Sequence, residues 1–485
     1  MPSVSTSAGP VILYELNEVP WRVLDWYMRE RPQSAFASVL RSAETFTTVT
    51  FDEGELQPWV TWPTLHRSVY NRTHGIRYIN QDLSSARDHP PLWEKIARAG
   101  KKVGVFGSLQ SYPPLKDASY VFYVPDTFAP GPETIPPRYE CFQRLNLRQT
   151  KADRAFAKPV EIDGSAASDV FALLASGLRL RTAARIAMQL LLERLASRHR
   201  SRRAILQAPV AFDVFRHALA RTTPDFCTFF TNHVAGIMHR YWKYAFPEDF
   251  GYALRGKDDA FHRESLLVAL DDADEQIGFL KSYADARRGR LYIASSMGQQ
   301  AVHRRHEVEL VIEDMAAFMR TIGFDNPVRP LAAMHPDYSF DFDDNADAQD
   351  FARRIAALRR NNDTAAFYGV DVQGKTVSCS AGSGPGFVPA DGAAPYLLRA
   401  GSGTRLAFAE AGLGIMERDA GTGYHQPEGI LIRYGHGVTA NSSRRQIEIV
   451  QVAPMIMQDC GVRLPAVAAH VPVLAGAGHE DPALA

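Results

Sequence analysis

Short apolar runs bounded by polar or glycine positions recur along the chain, with helically spaced segments between them. Val11-Ile12-Leu13-Tyr14-Glu15-Leu16 reads as a buried strand ending in Asn17-Glu18 and a turn at Pro20, after which Trp21 to Glu30 carries helical spacing. Pro91 to Gly100 predicts a helix leading into the glycine-bounded strand Lys102 to Gly107. Phe226 to Phe230 and Leu291 to Ala294 are two more such strands, each followed by polar residues. This alternation predicts an α/β fold, a mostly parallel central sheet with helices on both faces. Ligands of such sheets sit beyond the carboxyl ends of the strands. Asn17, Glu18, Thr61, Asn232 and Ser296 are expected at such ends.

Between Cys141 and Arg221 the texture changes. Phe171 to Arg203 is apolar and arginine-rich, with Arg179, Arg181, Arg185, Arg194, Arg198, Arg200, Arg202 and Arg203 and few acids. The predicted organisation is a core of residues 1–140 and 222–470, a helical basic cap over 141–221 beside the cleft, and a frayed Ala/Gly/Pro-rich tail over 471–485. The cap's basic face is either a solvated helix surface or an attractor for an anionic substrate or an acidic membrane surface. Met334 to Asp347, rich in Asp and aromatic residues, reads as a loop; its spacing lacks the glycine and terminal glutamate of a specific calcium site.

Lys+Arg 54 against Asp+Glu 54 leaves no net charge, so nothing global points to nucleic acid. No window approaches a membrane span, and the N-terminus lacks the pattern of a secretion signal, so stable membrane insertion is not expected. Cys141, Cys227, Cys379 and Cys460 are scattered without redox or metal pairing. They read as small buried hydrophobes, suiting a cytoplasmic protein.

The most informative stretch is Gln57-Pro58-Trp59-Val60-Thr61-Trp62-Pro63-Thr64-Leu65-His66, followed by His74-Gly75-Ile76. A β-favouring segment ends in Thr61 and a helix-like run begins. Thr61 is thus expected where a helix starts, beside unpaired backbone N–H groups that attract anions. A plain helix cap at Thr61 or Thr64 is the alternative.

Five ordered segments resemble the alkaline phosphatase superfamily, in its type I phosphodiesterase and nucleotide pyrophosphatase branch. They are the opening strand, the Thr-Trp-Pro stretch closing on His74-Gly75-Ile76, Tyr292 to Gly298, Gly423 to Ile430, and Ile447 to Met457. The resemblance implies an alkaline phosphatase-like fold and a threonine nucleophile between two metal ions, usually zinc, with Thr61 at the nucleophile and His239 and His425 at metal histidines. It also exposes departures. The family's first-strand aspartate is Asn17, its Asp-His pair is Ser296-Met297, and the aspartate one turn before His239 is Ala235, unless Asn232 stands in. Neutral groups offset little of the cost of dehydrating two cations, so a full two-zinc centre is not expected.

What remains is polar. Strand alternation puts Glu15 and Asn17 on one face with Glu18 just past the end, and helical spacing gives Asn232 and His239 a shared face with His233 rotated away. The candidate catalytic residues are Thr61, Glu15, Glu18 and His66. The candidate substrate-binding residues are Asn17, Thr64, Asn232, Ser296 and Gln299. The candidate metal ligands are His239 and His425, holding one divalent ion (zinc or manganese) with Asn232 or a glutamate. The leading expectation is a phosphodiesterase-like enzyme acting through Thr61 on a phosphate ester or activated small anionic molecule. A metal-free transferase or lyase, with Glu or His66 as general base, and a catalytically silent anion-binding protein are the alternatives.

Overall fold

The computed structural model describes residues 9–152, 172–303, 308–331, 333–334, 336–360, 364–381, 396–399, 405–417 and 421–462. Its centre is an eight-stranded sheet built from β1 (Val11–Leu16), β2 (Glu44–Val49), β3 (Val103–Phe106), β4 (Tyr120–Val124), β5 (Phe226–Thr231), β6 (Arg290–Ala294), β7 (Glu428–Gly435) and β8 (Asn441–Glu448). The spatial order is β8-β2-β7-β6-β1-β5-β3-β4. Only β7 runs antiparallel to its neighbours; every other pairing in this sheet is parallel.

The continuous apolar run of β1 is explained by its central place, because both of its faces are covered. Ile12, Tyr14 and Leu16 point into a core beneath the helices Trp21–Glu30, Gln207–Thr222, His233–Ala245 and Gly256–Ala286. Val11 and Leu13 point the other way, against Pro58–Arg67, Leu92–Arg98 and Val452–Asp459. Period-two alternation therefore carries Glu15 and Asn17 onto the second face, toward the helix Pro58–Arg67.

That helix corrects the local reading of the sequence. Pro58 opens it, where a missing N–H costs nothing, and no β segment runs into Thr61. Thr61 is its fourth residue, and its N–H already donates to the Gln57 carbonyl at 3.0 Å. No anion-binding helix end is available there.

Residues 308–417 include small sheets and the helices Met315–Ile322 and Asn345–Ala356 around a separate hydrophobic cluster that includes Phe318, Phe340, Phe351 and Val377. Within it, the stretch expected as a loop is the strand Asp337–Asp341 followed by the helix Asn345–Ala356, whose N-cap Asp344 accepts from the Asp347 N–H. Its acids serve as a cap and as partners of Arg329, so the calcium reading falls.

Part of the expected cap belongs to the main core. Phe212 and Phe215 of Gln207–Thr222 pack on Phe229 of β5, and Phe215 also packs on Phe106 of β3. Several of the cap's arginines are engaged: Arg181 pairs with Glu275, Arg185 with Asp272 and Arg198 with Asp258, all acids of the helix Gly256–Ala286. Residues 153–171 of the cap and the whole of the expected tail lie outside the described residues. All four cysteines are free and buried. Among the described residues no helix is long and apolar enough to cross a membrane.

Candidate active site

Beyond the carboxyl end of β1 the chain turns through Glu18, a non-glycine residue held at φ +62°. Such a conformation is costly without support and is over-represented where a side chain must be aimed. The support is visible. Ser295 Oγ donates to the Leu16 carbonyl and accepts from the Val19 N–H, clamping the turn to the end of β6.

The turn aims Glu18 at two imidazoles. Its Oε2 lies 2.9 Å from His239 Nε2 and 3.4 Å from His425 Nε2. His239 comes from the helix His233–Ala245, and His425 from the strand Gly423–Gln426, which pairs with Gly298–Ala301 so that His425 sits opposite Gln299. Gly423 permits this approach: a Cβ there would lie 2.7 Å from the Met238 carbonyl oxygen. One ligand atom from each of Glu18, His239 and His425 falls within 4.8 Å of the others.

Both imidazoles are oriented from behind. Nδ1 of His239 lies 2.9 Å from the Gly423 carbonyl oxygen and Nδ1 of His425 lies 2.6 Å from that of Leu56. A carbonyl only accepts, so each Nδ1 carries the proton, and in the neutral ring each Nε2 presents a lone pair toward Glu18. This is the arrangement by which metal-binding histidines are fixed. Burial opposes ionisation of Glu18, but the His425 and His239 imidazoles outweigh it and hold the carboxyl well below its usual range. Burial likewise opposes protonation of His425, yet the Glu18 carboxylate keeps its pKa above the ordinary imidazole value.

Around this carboxylate lies a shell of amides. Asn17 Nδ2 donates to Glu18 Oε1 at 2.7 Å and to Asn232 Oδ1 at 2.6 Å, while Trp62 Nε1 donates to Asn17 Oδ1 at 2.8 Å. Gln299 Nε2 donates to Glu18 Oε2. Asn17, Asn232 and Gln299 thus gather here as expected, although Asn17 and Gln299 engage Glu18. Asn232 lends its oxygen to Asn17, and the group that stands with His239 and His425 as a possible ligand set is Glu18. Trp62 and the carbonyls of Leu56 and Gly423 were not anticipated. Backbone groups and an indole in an apolar run carry no sequence signal for this role.

Thr61 and Ser296 form a second, neutral part of the site. Their hydroxyls lie 2.7 Å apart and both residues are fully buried. Among the described residues neither is in hydrogen-bond contact with a carboxylate or an imidazole, so the pair has no base of its own there.

The remaining candidates are drawn elsewhere. His66 Nε2 and Glu15 Oε1 are 2.7 Å apart in a sealed contact, with the His66 ring against Trp62 and Trp93. Ser108 Oγ also donates to Glu15. Both residues are as buried as Thr61 and Ser296; what sets them apart is that they bond to each other beneath two tryptophans, outside the cluster around Glu18. Thr64 is equally committed. The Ile76 N–H donates to His74 Nδ1, leaving Nε2–H to donate to Thr64 Oγ1, whose proton goes to Asp52 Oδ1 at 2.8 Å. Burial holds the His74 pKa down at about 3, so His74 is the neutral member of this chain, which ties the helix to the His74-Gly75-Ile76 turn. His233 is a core residue as expected, bonded to Thr231 and the Ala269 carbonyl, with burial holding its pKa at about 4.

No protein-family model and no curated protein sequence matches the chain. The solved structures similar to it include members of the alkaline phosphatase superfamily, the group whose motif order the sequence resembles. They include murine ectonucleotide pyrophosphatase/phosphodiesterase 5 (11% identity, 94% of this chain and 96% of that one, TM-score 0.39). Phosphonoacetate hydrolase from Sinorhizobium meliloti 1021 in complex with phosphonoformate is another (11% identity, 94% and 96% covered, TM-score 0.38). Wild-type alkaline phosphatase PafA is a third (11% identity, 96% and 98% covered, TM-score 0.39).

Proposed function

We propose that this protein is an enzyme that hydrolyses or transfers a phosphate ester or related small anionic molecule, using a single divalent cation held by Glu18, His239 and His425. The observation that carries the reading is the convergence of two imidazole Nε2 atoms on one carboxylate oxygen, with both Nδ1 protons tied to carbonyls. Two neutral imidazoles and one carboxylate suit zinc or manganese and leave the bound ion one net positive charge, which favours an anionic ligand. When bound, such an ion supplies Lewis-acid polarisation of a substrate oxygen.

The chain's own residues do the rest. Asn17 and Gln299 hold Glu18 in its left-handed turn, and Trp62 holds Asn17. Thr61 and Ser296 share one hydrogen bond that either hydroxyl can donate. That hydrogen bond orients the Thr61 oxygen as the candidate nucleophile; the proton released on attack would have to leave the pair, because a neutral serine hydroxyl cannot hold it. Asn232, the exposed member of the amide shell, is placed to meet an incoming polar group.

The test is metal content of the freshly purified protein, followed by hydrolysis of a chromogenic phosphate diester before and after chelation. One equivalent of zinc or manganese, with activity lost on chelation and restored by the ion, is the expected result. A second reading rests on the charge state of the ion-free cluster. Ionised Glu18 beside a His425 that favours its proton makes a buried ion pair able to orient an anion without metal. Turnover that persists in chelator, on protein free of metal, selects that reading.

A further inference from the structure

The helix Leu180–Leu195 is folded with its polarity reversed. Thr182, Gln189 and Glu193 are its buried residues. Ile186 packs against the main core, but other apolar residues face outward: Leu180 is 77% exposed, Met188 55%, Leu191 50% and Leu195 74%, with Ala184 and Ala187 exposed among them. At 100° per residue these six positions occupy one continuous face, about a third of the circumference wide. Arg181 and Arg194 lie at its two edges, both exposed.

The inward face explains the inversion. Arg185 reaches Asp272, Gln189 bonds to Glu193 and to the His199 carbonyl, and Glu193 pairs with Arg203. The helix is fastened by these polar contacts and by Ile186, and leaves Leu180, Leu191 and Leu195 in water. Removing such side chains from water is favourable, so a continuous surface stripe of them marks an interaction site.

The charge around the stripe selects the occupant. Residues 172–206 hold eight arginines and one acid, Glu193; Arg181, Arg185, Arg198 and Arg203 are paired with Glu275, Asp272, Asp258 and Glu193. Arg194 and Arg200 form no salt bridge among the described residues. A second copy packed antiparallel across the stripe would set Arg181 against Arg194 of its mate, like charge against like. A nucleic acid would satisfy the arginines and leave the leucines wet. An anionic bilayer surface satisfies both, receiving the apolar face among its acyl chains and the arginines among its headgroups.

We propose that Leu180–Leu195 docks this protein peripherally on an anionic lipid surface. The experiment is co-sedimentation of the full chain with vesicles of phosphatidylcholine alone or of phosphatidylcholine with phosphatidylglycerol, at low and high salt. Binding to the anionic vesicles only, weakened by salt, is expected. Leu191→Glu should weaken it by about tenfold or more, and Arg194→Gln by about fivefold. Both positions are exposed, so circular dichroism and metal content at Glu18, His239 and His425 should not change. Absence of binding to anionic vesicles, or binding that Leu191→Glu leaves intact, overturns the proposal. So does a dimer, detected by light scattering, that Leu191→Glu dissolves, because the occupant is then a second copy.

Discussion

Two parts of the candidate site, joined through Asn17 and Trp62, are built on opposite principles. At one, the Glu18 carboxylate meets two imidazoles whose far nitrogens are pinned to backbone carbonyls. At the other, Thr61 and Ser296 satisfy each other with no charged group in hydrogen-bond contact. The first arrangement stays costly unless a cation or a proton occupies it, since buried charge must be matched. The second is satisfied as it stands. The contrast teaches that the charge in this part of the molecule gathers around the Glu18 carboxylate and its two imidazoles, and not around the Thr61 hydroxyl.

The comparison breaks most decisively at Glu18. Glu18→Gln keeps the shape and removes the charge. It should lower metal affinity by more than the roughly 10–100-fold that a supporting group costs, as read by titration calorimetry with zinc. Unchanged affinity would place the cation elsewhere. His425→Ala, which deletes one imidazole, should release the metal from protein that keeps its far-ultraviolet dichroism. Retention of a full equivalent through dialysis would contradict that.

A smaller effect should come from Asn17→Leu, which deprives Glu18 Oε1, Asn232 and Trp62 of their shared partner. About a 10–100-fold loss of metal affinity is expected, with the metal site otherwise intact. A loss of stability with no change in affinity would make Asn17 a packing residue only. Thr61→Val is the sharpest probe of the neutral part. It strands Ser296 Oγ in the core, at a cost of about 1–3 kcal/mol in urea unfolding, while metal binding stays unchanged. If diester turnover also stays unchanged, Thr61 is structural and the reaction uses another nucleophile. The least effect on the site is expected from Glu15→Gln, which alters the sealed His66 contact: stability should fall while metal content holds.

Much of the architecture was legible because it rests on local pattern. The apolar run of β1, the helix Trp21–Glu30 and the strands around Phe226 and Leu291 follow from hydrophobic periodicity, which backbone geometry reads directly. The helix containing Thr61 was placed too late because Trp, Val and Thr favour strands, and packing between Trp93 and β1 overrode that preference. The cluster of residues 308–417 went unseen because its short strands are separated by turns and pair at long range.

The sequence by itself supplied a parallel sheet and the polar residues at its carboxyl edge, Asn17, Glu18, Asn232, His239, Ser296 and His425 among them. It could not sort them. Glu15, Glu18, His66 and His239 are chemically equivalent candidates until the chain closes, since a carboxylate's role depends on what faces it across hundreds of residues. Tertiary structure alone sealed Glu15 with His66 under two tryptophans, held Glu18 in a left-handed conformation beyond the end of β1, and brought His239 and His425 to it from a helix and a strand. It also left Leu180, Leu191 and Leu195 facing water, because the polar side of that helix is the one that meets partners in the fold.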